Sequence, residues 1–199
     1  MSFKVVEEFE NKIAEFYGAK YAVATDSCTH AIELCLRADK DPARFMFLPA
    51  RTYISIPFTL MKLGQEFAFD DYAWEDYYWI GNTNIIDAAV LWERNSYKNG
   101  TLMCLSFQFQ KHLSLGRGGM ILTNNKKVAE KLKRMSYDGR EPTTPWRDQD
   151  ISEVGYHYYM TPEVAQDGLD KLPEAIERTP RQWVVTDWPN LTNMTVFKK

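Results

Sequence analysis

The sequence predicts an α/β fold in which a mainly parallel central sheet carries helices on both faces. Three observations lead there. Short apolar runs recur along the chain (YAVAT, FMFLP, EFAFD, NIIDAAV, LMCLSF, GMILT), segments with helical spacing of apolar residues alternate with them, and polar turn residues separate the two kinds. Strands that alternate with amphipathic helices need crossover connections, and these place helices over both faces of a buried sheet. With 199 residues and 45% hydrophobic content, the chain can bury one core, so one globular domain with a small appendage is expected.

The first helix is marked by Val5, Val6, Phe9, Ile13 and Phe16, with Glu7, Glu8, Glu10 and Lys12 on the other side and Gly18 as its stop. YAVAT (Tyr21 to Thr25) then reads as a strand, and Asp26, Ser27 and Thr29 are three candidate caps for a helix carrying Ala31, Leu34, Cys35 and Ala38. FMFLP is a buried strand, Tyr53 to Leu63 a short helix, and EFAFD and NIIDAAV two further strands, the latter ending near Asp87. LMCLSF and GMILT flank a loop that contains Lys111 and the glycines Gly116, Gly118 and Gly119, which are read as a tight turn. Lys126 to Tyr137 is a charged surface helix, REPTTPWRDQD a loop, and Pro162 to Leu172 a last helix with Thr161 as cap. The expected division is one domain over residues 1–177 and an irregular tail over 178–199, with a single strand at Trp183 to Thr186.

Composition narrows the function classes. The net charge is −3, from 24 Lys+Arg against 27 Asp+Glu, without a concentrated basic run. Nucleic acid is therefore not the expected partner, because neutralising phosphates needs a basic face. The three cysteines, Cys28, Cys35 and Cys104, are odd in number and lack CxxC spacing, which argues against a disulfide framework or a zinc site. The first twenty residues interleave acids with apolar side chains and hold no long uncharged stretch, so a cytoplasmic protein without a membrane span is expected.

In open α/β sheets, ligands bind beyond the carboxyl ends of the strands. Four polar features fall at such ends: Ser27-Cys28-Thr29, Thr52-Tyr53, Asp87, and Ser106 with Lys111. Thr29 and its neighbouring amides stand at a helix N-terminus that suits a phosphate, although Thr29 read alone is a cap, the far commoner role. Asp87 emerges from a buried strand and needs a cationic or N–H partner, although read alone it is equally a local cap. Lys111 read alone is a solvated surface charge, whereas a lysine in apolar surroundings can lose its proton and attack a carbonyl to form a Schiff base.

Taken in order, FEnkiAeFyGaKYAVaTdSCTHAIeL, FLPArTYiSi, IIDAAv and SFQFQKhLSLGRGGMILTNN resemble the DegT/DnrJ/StrS family of pyridoxal-phosphate-dependent sugar aminotransferases, and GYHYYMTPEVAQDGLDKL resembles a later segment of that family. The likeness spans about residues 7 to 172. It implies the large domain of the fold-type I PLP-dependent transferases, with the small C-terminal domain missing. It also implies that Lys111 forms the Schiff base with pyridoxal 5'-phosphate, that Asp87 pairs with the pyridine nitrogen, and that Cys28, Thr29 and Ser106 hold the phosphate. Tyr53 would stack on the ring, and His157 would reach the cofactor of a neighbouring subunit in a homodimer. The implied reaction moves an amino group from a donor such as glutamate to a keto sugar, nucleotide-linked, with Lys111 also acting as the proton-moving base and Arg51, Arg117 or Arg140 receiving the donor's carboxylates.

The chain departs from the family pattern at Val90, where a glutamine is usual, at Tyr159, where an arginine is usual, and at Arg117, where a glutamate is frequent. Two other readings stand beside the aminotransferase: a shortened, non-catalytic cofactor-binding or accessory protein, and a sugar dehydratase of the same family. The family's dehydratases typically carry histidine at the position of Lys111, which counts against the latter.

Overall fold

The structure, a computed structural model, describes residues 2–39 and 45–198. Five strands form one sheet in the order β1-β7-β6-β5-β4, and β2 pairs with β3 in a second, two-stranded sheet. The strands are β1 (Tyr21–Thr25), β2 (Met46–Pro49), β3 (Phe67–Asp70), β4 (Tyr78–Trp79), β5 (Ile85–Asp87), β6 (Leu102–Ser106) and β7 (Gly119–Thr123). The helices are α1 (Lys4–Tyr17), α2 (Cys28–Ala38), α3 (Ser55–Lys62), α4 (Lys126–Ser136) and α5 (Pro162–Glu177). A backbone bond from Gly81 N–H to the Phe47 carbonyl, 3.1 Å, ties the small sheet to the large one.

The pairing is mixed where mainly parallel strands were expected. Only β5 with β6 and β2 with β3 pair in parallel; β4 and β7 run against β5 and β6, while β1, antiparallel to β7, runs in their direction. The reason lies in the connections: the twelve residues between β6 and β7 hold no helix to carry the chain across the sheet, so it doubles back. The α/β class stands, and the covering of both faces is explicit in the core. Ala22, Ala24, Ile86, Met103, Leu105, Met120 and Leu122 point to one side, under α1 and α5, where Phe9 and Ile13 are fully buried. Their alternates Val23, Ile85, Leu102, Cys104 and Ile121 point to the other, under α2, α3 and α4. Burying each of the valine, leucine, isoleucine, phenylalanine and methionine side chains among them contributes about 1.5–3 kcal/mol, so the two apolar layers supply the main folding drive.

Three further differences from expectation have local causes. The last helix continues past Pro173 to Glu177, because Ala175 on its inner stripe is buried against the core and compensates the hydrogen bond that proline cannot make. The two-residue β4 was not foreseen; it is too short for any period to register. The strand expected at Trp183 to Thr186 does not form: residues 178–198 run in extended and 3₁₀ turns at Val185–Asp187, Leu191–Asn193 and Thr195–Phe197. This segment packs back on the domain. Leu191 is fully buried and its N–H bonds the Ala50 carbonyl at 2.8 Å, while the Phe197 ring meets Phe58 and Phe69. Among the described residues, no helix is long and apolar enough to cross a membrane.

Candidate active site

The carboxyl ends of β1, β5 and β6 and the start of β7 face one cleft of about 400 Å³, within the size range of small-molecule sites. Cys28, Thr29, Tyr53, Asp87, Ser106 and Lys111 all line it. Six of the seven residues singled out from sequence are thus brought together. The seventh, His157, lies elsewhere: its side chain is 72% exposed, bonds Asp138 Oδ2 at 3.1 Å and packs edge-on against Tyr159.

Helix α2 enters the cleft by its N-terminus. Ser27, rather than Asp26 or Thr29, is the cap, and its hydroxyl accepts the His30 N–H. Helix geometry leaves the Cys28 and Thr29 amides without an intrahelical acceptor, so this end of α2 presents N–H groups and the positive end of the helix dipole. The Thr29 hydroxyl lies 2.8 Å from that of Ser55, which joins the first turns of α2 and α3. Asp26 is engaged instead with His30, 2.6 Å, and with Arg117, 2.8 Å.

The loop between β6 and β7 presents Lys111. Phe107, Leu113 and Leu115 sink into the core, and a turn from Gln108 O to Lys111 N–H lifts the lysine out between them. His112, next in sequence, bonds the Ala175 carbonyl at 2.7 Å and so ties the loop to α5. The glycines do more than turn. Gly116 takes the left-handed conformation (φ 74°) that the turn requires, but Gly119 is held by close approach: a Cβ there would lie 2.4 Å from the Cys28 nitrogen. Only glycine lets the start of β7 pass beneath the N-terminus of α2.

Asp87 ends β5 and is 6% exposed. Its Oδ1 accepts the Ala89 N–H at 3.0 Å and its Oδ2 the Tyr78 hydroxyl at 2.6 Å. Burial pushes its carboxyl above the ordinary aspartate range, opposed by Tyr78, Ala89 and the Lys111 charge. Lys111 is shifted the other way: burial lowers its pKa, Asp87 and Cys28 resist, and Arg181 adds to the lowering. Burial likewise keeps the Cys28 thiol protonated well above its usual range, so it is a polar wall and not a nucleophile. An amine whose pKa burial lowers, a buried carboxyl group and a helix end that suits an anion therefore share one cleft.

Residues that sequence reasoning did not single out complete the walls. Trp183, Asp187, Trp188 and Pro189 of the C-terminal segment line one side, and Gln108 and Gln110 stand beside the lysine. The segment is anchored by a bond from Arg51 Nη1 to the Trp188 carbonyl, 3.0 Å, and by the Trp188 ring on Trp74. The only available signal was the concentration of tryptophan and proline in that stretch. Tyr78, joined to Thr52 behind Asp87 at 2.5 Å, carried no sequence signal, and Thr52 stood out only as the neighbour of Tyr53 at a strand end. Of the three arginines considered for a substrate carboxylate, Arg117 lines the cleft, Arg51 is turned to Trp188, and Arg140 lies over Tyr137 and Trp146.

A two-faced α/β domain with a lysine, an acid and a helix N-terminus converging at its strand ends has the form of an aminotransferase cofactor domain. The chain belongs to the DegT/DnrJ/EryC1/StrS aminotransferase family, whose model matches residues 1–90 and 88–183. It is similar to the spore coat polysaccharide biosynthesis protein SpsC of Bacillus subtilis, 26% identical over 177 residues, 67% of this chain and 46% of the relative. Among solved structures, it shares its fold with AtS13 from Actinomadura melliaura (TM-score 0.75, 18% identity, 89% of this chain and 61% of that one). It shares it also with Helicobacter pylori PseC, an aminotransferase involved in the biosynthesis of pseudoaminic acid (TM-score 0.69, 14% identity, 86% and 58%). The chain thus spans about half the length of SpsC and about three-fifths of these structures.

Proposed function

We propose that this chain is the cofactor-binding part of a pyridoxal-phosphate-dependent aminotransferase that transfers an amino group from an amino acid such as glutamate to a nucleotide-linked keto sugar. The observation that carries the reading is the meeting of Lys111, Asp87 and the N-terminus of α2 in one cleft. The donor set fits the cofactor: an amine for its aldehyde, a carboxylate for its ring nitrogen, and free amides with hydroxyls for its phosphate. Family membership supports the same cofactor.

In this reading, bound pyridoxal phosphate supplies an electron sink for charge developing at the substrate carbon. The Lys111 Nζ, whose pKa burial lowers, would hold the cofactor through its aldehyde and would take and return the proton at the substrate carbon. Asp87 holds a proton on the ring nitrogen. The Cys28 and Thr29 amides, Thr29 Oγ1 and Ser106 would hold the phosphate, and the exposed Tyr53 at the rim would stack on the ring. Arg117, which lines the cleft and pairs with Asp26, would meet a donor carboxylate.

Residues 1–177 would form the cofactor domain, with the segment 178–199 lying against it. A homodimer with sites at its interface is part of the proposal: His157 stands outside its own cleft, exposed, where it is available to a second subunit. The three free cysteines suit a reducing cytoplasm.

The test is borohydride reduction of protein incubated with pyridoxal phosphate. A mass increase is expected on the Lys111 peptide and is expected to vanish in Lys111→Ala; no adduct in the native chain would overturn the reading. In a separate, unreduced sample, addition of glutamate should convert the bound cofactor to its amine form. An adduct without that conversion would make the chain a non-catalytic binder.

A further inference from the structure

Tyr78 lies in β4 and is 3% exposed, and Thr52, three residues past the end of β2, is 2% exposed. The Tyr78 hydroxyl is 2.6 Å from Asp87 Oδ2 and 2.5 Å from Thr52 Oγ1. A phenol has one proton to give, and an ionised carboxylate can only accept. The order of protons follows: Thr52 donates to Tyr78, and Tyr78 donates to Asp87. Since Ala89 N–H occupies the other carboxylate oxygen, each oxygen of Asp87 has one fixed donor, and the plane of the group is pinned while its remaining lone pairs serve the cleft.

We propose that Thr52 and Tyr78 form a positioning relay that keeps Asp87 an oriented, ionised carboxylate for the ring nitrogen of the cofactor. The identity of that cofactor rests on the function proposed above; the relay itself rests on the hydrogen bonds. Neither residue touches the reacting atoms. They act through Asp87, whose burial favours the neutral acid and whose Tyr78 bond opposes it. Without that bond a more basic Asp87 would draw the shared proton off the ring nitrogen, and an unprotonated ring is a poorer electron sink. The Tyr78 ring packs 4.9 Å from Trp74, so it keeps its place when the hydroxyl alone is removed.

Tyr78→Phe makes that deletion. In cofactor-free protein carrying 13C-labelled aspartate, the Asp87 carboxyl resonance is expected to titrate about one to two pH units higher than in the native chain, the size set by a hydrogen bond to a charged group. Thr52→Val is expected to move it in the same direction by less. Tyr97→Phe, which removes a hydroxyl bonded to the Thr101 carbonyl, should leave it unchanged. Affinity for pyridoxal phosphate, read by borohydride trapping at Lys111, should fall about tenfold in Tyr78→Phe. An Asp87 titration unmoved by Tyr78→Phe overturns the relay, whereas absence of a Lys111 adduct in the native chain overturns the cofactor reading, so the two failures are told apart.

Discussion

The Lys111 ammonium stands 4.5 Å from the centroid of the Trp183 indole, 72 residues further along the chain. Trp183 in turn carries the Arg181 guanidinium at 4.0 Å and leans on Trp188 at 5.4 Å. The C-terminal segment therefore covers one side of the lysine. Trp183→Ala should open that side, and modification of Lys111 by a bulky aldehyde at fixed pH should speed up several-fold, measured by peptide mass spectrometry. An unchanged rate would mean that the segment does not cover the lysine in solution.

Asp87→Asn should act on Lys111 and on stability in opposite senses. The Asp87 charge props up the lysine's pKa, so its removal should lower the pH at which Lys111 becomes reactive. Asp87 itself has a folded pKa above its unfolded one. Its contribution is then most favourable at low pH and is lost as pH rises from the unfolded value through the folded one. The asparagine variant, free of a buried charge, should be more stable than the native chain at neutral pH by about 1 kcal/mol while binding pyridoxal phosphate poorly. Urea unfolding at pH 4 and pH 7 would show the gain at the higher pH only.

The glycines of the β6–β7 loop should differ in their tolerance of alanine. At Gly116 nothing lies within 4 Å, so the strain is only that of a positive φ, about 1 kcal/mol. At Gly119 the Cβ would strike the backbone of Ser27 and Cys28, which cannot yield without shifting α2. Gly119→Ala should lose about 2–4 kcal/mol and the cofactor site together. Equal losses in denaturant titrations would contradict the close approach described for Gly119.

Glu33 gives a pH prediction away from the cleft. Its side chain is 1% exposed, and although burial would push its carboxyl up, bonds from Lys62 and Arg37 hold it below the ordinary glutamate range. A depressed folded pKa stabilises above the unfolded value and loses that stabilisation as pH falls through the folded one. Glu33→Gln should therefore be less stable than the native chain by about 1–3 kcal/mol at pH 7, with the gap closing below about pH 4. Thermal melts across that range would reveal a constant gap if the ion pairs contribute nothing.

Much of this was legible in the sequence, for physical reasons that differ by element. Helix α1 was readable because one core face imposes a helical period on it, and strands β1, β6 and β7 because burial on both faces makes each a short continuous apolar run. The cleft residues were readable because Thr29, Tyr53, Asp87, Ser106 and Lys111 follow the order of a known family. Strand direction was not, since it depends on whether a connection crosses the sheet or folds back. Trp183 and Trp188 were hidden because their positions are set by long-range packing on Ala50, Arg51 and Trp74, which leaves no local pattern. Tyr78 was hidden for a similar reason: its role is decided by Asp87 on the neighbouring strand, and two residues of β4 are too few to announce a partner.

The antiparallel register of β1 with β7, which sets Thr25 opposite Gly119, has a kinetic consequence. The N-terminus of α2 and the lysine loop become neighbours only when two strands nearly a hundred residues apart close on each other. Contacts of that span carry a large loop-closure entropy and form late. An emerging chain that has displayed α1, β1 and α2 still holds no site, because its first strand has no partner on which to dock. Competence to capture a ligand should then arise in the final folding phase, together with the last protected amides of β1, and not with the early helical signal.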